Sequence, residues 1–154
     1  MKTRVILIAI FFSILSFSCY AQSDNGMPHN KKQMMMHSNG DSRISLGLSE
    51  RMKVHQLQNM RSHVEAVQMI IGLLSKESFD KAAEIAHTKL GLTDDMKRMC
   101  NMFKNEGFRT LGLEFHKSAD NLAKVIKTRD LSKSLNALHK TMSYCVQCHA
   151  TYRQ

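Results

Sequence analysis

The sequence predicts an all-α chain, an antiparallel four-helix bundle whose functional residues lie near the C-terminus of the last helix. Three observations carry this. Apolar residues recur three and four apart through long stretches after Ser49, and no alternation of period two appears. The one proline, Pro28, lies ahead of those stretches, so no proline interrupts a helical ladder beyond it. Gly91, Gly107 and the run Thr128-Arg129-Asp130 fall between the periodic segments, where helix stops belong.

Each element follows from local chemistry. Ser49 is placed to cap a first helix, along which Leu57, Met60, Val64, Val67, Ile71 and Leu74 form one apolar stripe. Ser78 caps a second helix reaching Leu90, with Phe79, Ala82, Ala83, Ile85 and Ala86 apolar and Gly91 as its stop. Thr93 with Asp94 and Asp95 starts a short helix toward Phe103, the acids favouring the positive end of the helix dipole. Gly107 is expected to break it. Leu111, Phe115, Ala119, Leu122 and Ile126 mark the third long helix. In the last helix the seam is Leu131, Leu135, Leu138, Met142, Cys145, His149 and Tyr152.

The residues ahead of the bundle read differently. Residues 1–21 have the form of a secretory signal peptide: Lys2 and Arg4, an apolar core from Val5 to Phe17, and a cleavage site after Ala21. The apolar run is too short for a membrane span. A lipoprotein signal acylated at Cys19 is the alternative, which Ser16-Phe17-Ser18 matches poorly. The expected location is periplasmic, with no membrane-spanning segment. Residues 22–48 read as a flexible tail holding Met34-Met35-Met36-His37. Methionine and histidine suit copper, yet no spaced ligand set recurs, so the tail reading stands. Residues 49–154 form the bundle domain.

Charge narrows the partners. The chain has 22 Lys and Arg against 13 Asp and Glu, a formal charge of +9, and stays basic without Lys2 and Arg4. The basic residues are spread along the helices rather than clustered, which argues against nucleic acid and suits steering toward an acidic redox protein.

The chemistry resides in Cys145-Val146-Gln147-Cys148-His149. Cys-x-x-Cys-His is the pattern of covalent c-type haem attachment: two thiols reach two vinyl groups of one porphyrin, and the adjacent imidazole ligates the iron. A zinc site would need a second Cys/His pair at ligand spacing, and none appears. A thiol–disulfide pair would sit in a thioredoxin-like βαβ context, also absent. Covalent haem attachment in bacteria takes place outside the cytoplasm, so signal and motif support each other. One haem c is the expected cofactor. Cys100 is left over, and is expected to be a buried small apolar residue.

Residues 49–154, four helices of which the last closes with Cys145-x-x-Cys148-His149-x-x-Tyr152-Arg153, resemble the class II cytochromes c, the cytochrome c′ family. Only Ala150 to Gln154 follow His149, so a sixth iron ligand has to come from upstream. The resemblance implies that the first helix supplies the group over the iron. A methionine there makes a low-spin electron carrier; an apolar residue leaves a five-coordinate iron that binds nitric oxide or carbon monoxide. Met60 is the candidate ligand. Leu57 over an open iron, His63, His55 and Met52 are the alternatives. His87, His116 and His139 are read as ordinary solvated or hydrogen-bonded side chains. The resemblance also puts Arg153 near the proximal imidazole and implies pairing of two chains through their first two helices. The expected function is one-electron transfer without enzymatic activity, with gas binding as the alternative. A peroxidase-like role would need a distal acid–base pair, and His63 has no evident polar partner.

Overall fold

The computed structural model describes residues 40–154. The expected signal peptide, its cleavage site and residues 22–39 of the tail lie outside this range. The chain runs through strand β1 (Ile44–Ser45), helix α1 (Glu50–Leu74), helix α2 (Phe79–Ile85) and a π-helical turn (Ala86–Leu90). Helices α3 (Asp94–Asn101), α4 (Glu106–Ile126) and α5 (Leu131–Thr151) follow, then strand β2 (Tyr152–Arg153). The long helices pack as a bundle, α4 against α5 and α1 against α2, with the short α3 laid on α4. No described helix is long and apolar enough to cross a membrane.

Side-chain caps fix four of the helix starts. Ser49 accepts from the Met52 amide at 3.4 Å and Thr93 from Met96 at 3.2 Å. Asn105 accepts from Phe108 and Asp130 from Lys133, each at 2.9 Å. Each bond satisfies an amide that lacks an intrahelical partner. The turns after α1 and α4 use left-handed residues, Glu77 with φ 53° and Arg129 with φ 60°.

Gly107 does not break a helix. The Asn105 cap places it inside the first turn of α4. A β-carbon there would stand 2.5 Å from Tyr152 Oη, so the glycine admits a side chain from the end of α5.

The expected stripes of α2 and α4 are mostly buried, as are Leu74 and Leu138, while elsewhere in α1 and α5 the core lies one position away from the expected stripe. Leu57, Val64 and Ile71 are largely exposed, while Ala66, Ile70 and Leu74 are buried. In α5, Leu131, Leu135 and Met142 are exposed, and Ser134, Leu138 and Thr141 are buried. The physical reason is the size of the residues at the helix crossings. Ala66, Ala82, Ala83, Ala86, Ala119 and Ser134 let backbones approach closely around Ile70, Leu122 and Ile126. The buried hydroxyls are satisfied: Ser134 donates to the Asp130 carbonyl at 2.7 Å, and Thr141 bonds both the Ala137 carbonyl at 3.1 Å and Ser118 at 3.0 Å.

A two-residue parallel pair also appears where no strand was expected. Ile44 lies opposite Tyr152 and Ser45 opposite Arg153, and the Leu46 amide donates to the Arg153 carbonyl at 3.0 Å. The last part of the expected 22–48 tail, residues 40–48, is therefore a strap tied to the end of α5.

Candidate functional site

The end of the bundle that carries the strap holds a cavity of about 840 Å³, lined by residues of α1, α3, α4, α5 and the strap. That volume is of the size that takes a cofactor. Its walls are mostly apolar and aromatic. Phe103 and Phe108 meet edge to face with ring centroids 4.6 Å apart, and Phe108 meets Tyr152 in the same way at 5.3 Å.

The three motif residues lie at the C-terminal end of α5, and all of them line this cavity. Cys145 and Cys148 are one turn apart and half-buried, with Cys145 packed on the core. His149 is exposed, at the rim. Burial pushes the Cys145 thiol up; burial and then the neighbouring Cys145 push Cys148 to about 11. Both are therefore neutral thiols near pH 7, unlike the low-pKa thiolates of redox-active pairs. Among the described residues no three His, Cys, Asp or Glu side chains cluster in a way that could hold a metal ion.

On the α1 side, Met60 is half-buried and lines the cavity, as do Leu57 and His63. Met52 and His55 are not among the lining residues, and His55 is exposed. Gln56, one turn before Met60, is 8% exposed and also faces the cavity. His63 turns toward α4, its ring centroid 5.1 Å from Phe115 and 5.7 Å from His116. Burial, with a smaller effect from His116, lowers its pKa to about 4. His116 is fixed by donating from Nδ1 to the Leu90 carbonyl at 2.7 Å, and burial lowers its pKa as well. The cavity wall thus carries two neutral imidazoles at pH 7.

Sequence reasoning missed several lining groups. Met96 and Met99 enter from α3, and Asn59 Nδ2 donates to Met99 Sδ at 2.8 Å. Cys100 is buried against Gly112, as its reading as a small apolar residue expects, and burial raises its pKa. The strap supplies Asp41, Arg43 and Leu46. Arg43 grips Asp41 through Nε and Nη2 at 2.9 and 2.7 Å, and its Nη1 donates to the His149 carbonyl at 3.2 Å. Arg153 Nε stands 3.9 Å from Asp41. The hydrogen bonds from Arg43 hold Asp41 at about 2. The only trace of this in the sequence is an acid two residues before a base, in a polar stretch without periodicity.

The donor set fits a covalently attached haem. Two neutral thiols and an imidazole from one helix face the same apolar cavity as a thioether from another helix. Arg61, Arg109 and Arg153 around the cavity could donate to the two carboxylates of such a group.

One comparison with known proteins gives a match. A family model described as Cytochrome C′ matches residues 93–153, from the cap of α3 to the end of β2. No curated protein and no solved structure matches the chain. Across that segment, which carries the thiol–imidazole motif, the chain resembles the cytochrome c′ family.

Proposed function

We propose that the protein is an exported, periplasmic one-electron carrier holding one haem c, with Cys145 and Cys148 as the thioether anchors, His149 as proximal ligand and Met60 as distal ligand. The observation that carries this reading is that the motif of α5 and Met60 of α1 line one cavity. When bound, the haem supplies the iron that changes charge by one electron. The chain's own residues do the rest. The Phe103, Phe108 and Phe115 rings exclude water from the cavity, and two protein ligands keep the geometry constant between oxidation states. Arg61, Arg109 and Arg153 give the cavity a basic border that suits an acidic redox partner. No catalytic step is assigned to any residue. Val54 and Ile71, exposed on α1 and not among the cavity's lining residues, suit pairing of two chains.

A second reading is a five-coordinate haem protein that binds nitric oxide or carbon monoxide. It is favoured by the apolar walls and by Leu57, which shares the cavity with Met60. Visible spectra of the haem-loaded protein, oxidised and reduced, with and without carbon monoxide, test both. The carrier reading expects a low-spin spectrum with a methionine–iron charge-transfer band and no response to the gas, and Met60→Ala should turn it high-spin. A high-spin wild type that shifts with carbon monoxide would replace it by the gas-binding reading. An unchanged spectrum in Met60→Ala would remove Met60 as ligand.

A further inference from the structure

The strap is more than a stray terminal segment. It puts one carboxylate and one guanidinium against the helix end that bears His149. The His149 carbonyl belongs to the last turn of α5, where no following helical amide reaches it. Arg43 Nη1 supplies the missing donor at 3.2 Å, while its Nε and Nη2 hold Asp41. Asp41 in turn stands between Arg43 and Arg153. All three residues line the cavity.

Magnitude decides what this arrangement does. An ion pair as exposed as Arg43–Asp41, with side chains 38% and 43% accessible, adds little to folding stability. Their charges still act on a nearby redox centre, because the cavity has a lower dielectric than water. We propose that Arg43 and Asp41 are positioning residues of the proximal side, a balanced charge pair that fixes the end of α5 and sets the reduction potential of the group held by His149. This rests on the haem reading above.

The test is the reduction potential of the haem-loaded protein in four forms: wild type, Arg43→Met, Asp41→Asn and the double variant. Loss of a positive charge destabilises the reduced form, so Arg43→Met should lower the potential. Asp41→Asn leaves Arg43 and Arg153 uncompensated and should raise it, with the double variant near wild type. Both shifts should shrink at high ionic strength. A strap that merely covers the cavity would, on loosening, move both single variants the same way; that result, or potentials equal to wild type, overturns the proposal. Failure of the haem reading itself is distinct, since it shows as absence of covalent haem in the wild type.

Discussion

His63 shows what burial does to one side chain. A free imidazole titrates near 6.5, and in the folded chain this one titrates at about 4, chiefly because it is desolvated. Between those values the unfolded chain binds the proton more readily, so stability is full above 6.5 and falls as the pH drops toward 4. His116 acts in the same direction. Denaturant midpoints at pH 7, 5.5 and 4.5 should therefore decline, and His63→Leu should flatten part of that decline. An undiminished slope in the variant would mean that His63 is not desolvated. The core makes a simpler prediction. Leu122 is fully buried at the centre of the bundle, so Leu122→Ala should cost about 2–5 kcal/mol in equilibrium unfolding.

At the level of elements, two turn positions separate space from conformation. Gly91 has an ordinary φ of −68°, yet a β-carbon there would collide with the His87 carbonyl and the Asp120 carboxylate. Asp120 cannot simply withdraw, because it accepts from the Leu92 amide at 3.1 Å and pairs with His87 at 2.7 Å. Gly91→Ala should destabilise the bundle by about 1–3 kcal/mol, read as a lower melting temperature. Glu77 is the opposite case: its φ of 53° is a left-handed conformation that a β-carbon resists. Glu77→Gly should stabilise by about 0.5–1 kcal/mol, and a loss of stability would show that Glu77 bears no strain. Caps such as Ser49 and Thr93 were legible in the sequence, whereas Ser78, expected to cap the second helix, stands at its start without a side-chain capping bond. The registers of α2 and α4 were legible too, since Ala82, Ala119 and Leu122 are buried as expected, whereas those of α1 and α5 were so only in part. Periodicity weights large residues such as Ile71 and Leu135, whereas the crossings there are made by Ala66 and Ser134, whose smallness is what lets the helices meet.

For the whole molecule, one part of the cavity lining was readable and the rest was not. Cys145, Cys148 and His149 announce themselves by spacing, and Met60 by sharing a stripe with other apolar residues. Phe103, Phe108 and Met99 gather around the same cavity only through tertiary packing, which no local pattern encodes. On the proposed carrier function, the basic charge that the chain keeps without Lys2 and Arg4 gives a prediction at this scale. Electron exchange with an acidic protein partner should slow steeply between about 10 and 200 mM salt, as the screening length falls from about 30 Å to less than 10 Å. A rate independent of salt, measured by stopped flow, would remove electrostatic steering.

The clasp between β1 and β2 also bears on the order of assembly. Arg43 and His149 are 106 residues apart in sequence, so their contact closes a loop spanning nearly the whole bundle. A chain made from its N-terminus carries Arg43 long before the residues it fastens to exist. Such distant pairings form late, after the locally connected helices have docked. The end of α5 is then without its Arg43 donor until the helices have docked, and opening of the strap is expected to cost less than opening of the bundle core, as hydrogen exchange of the Leu46 amide against amides of α4 would show.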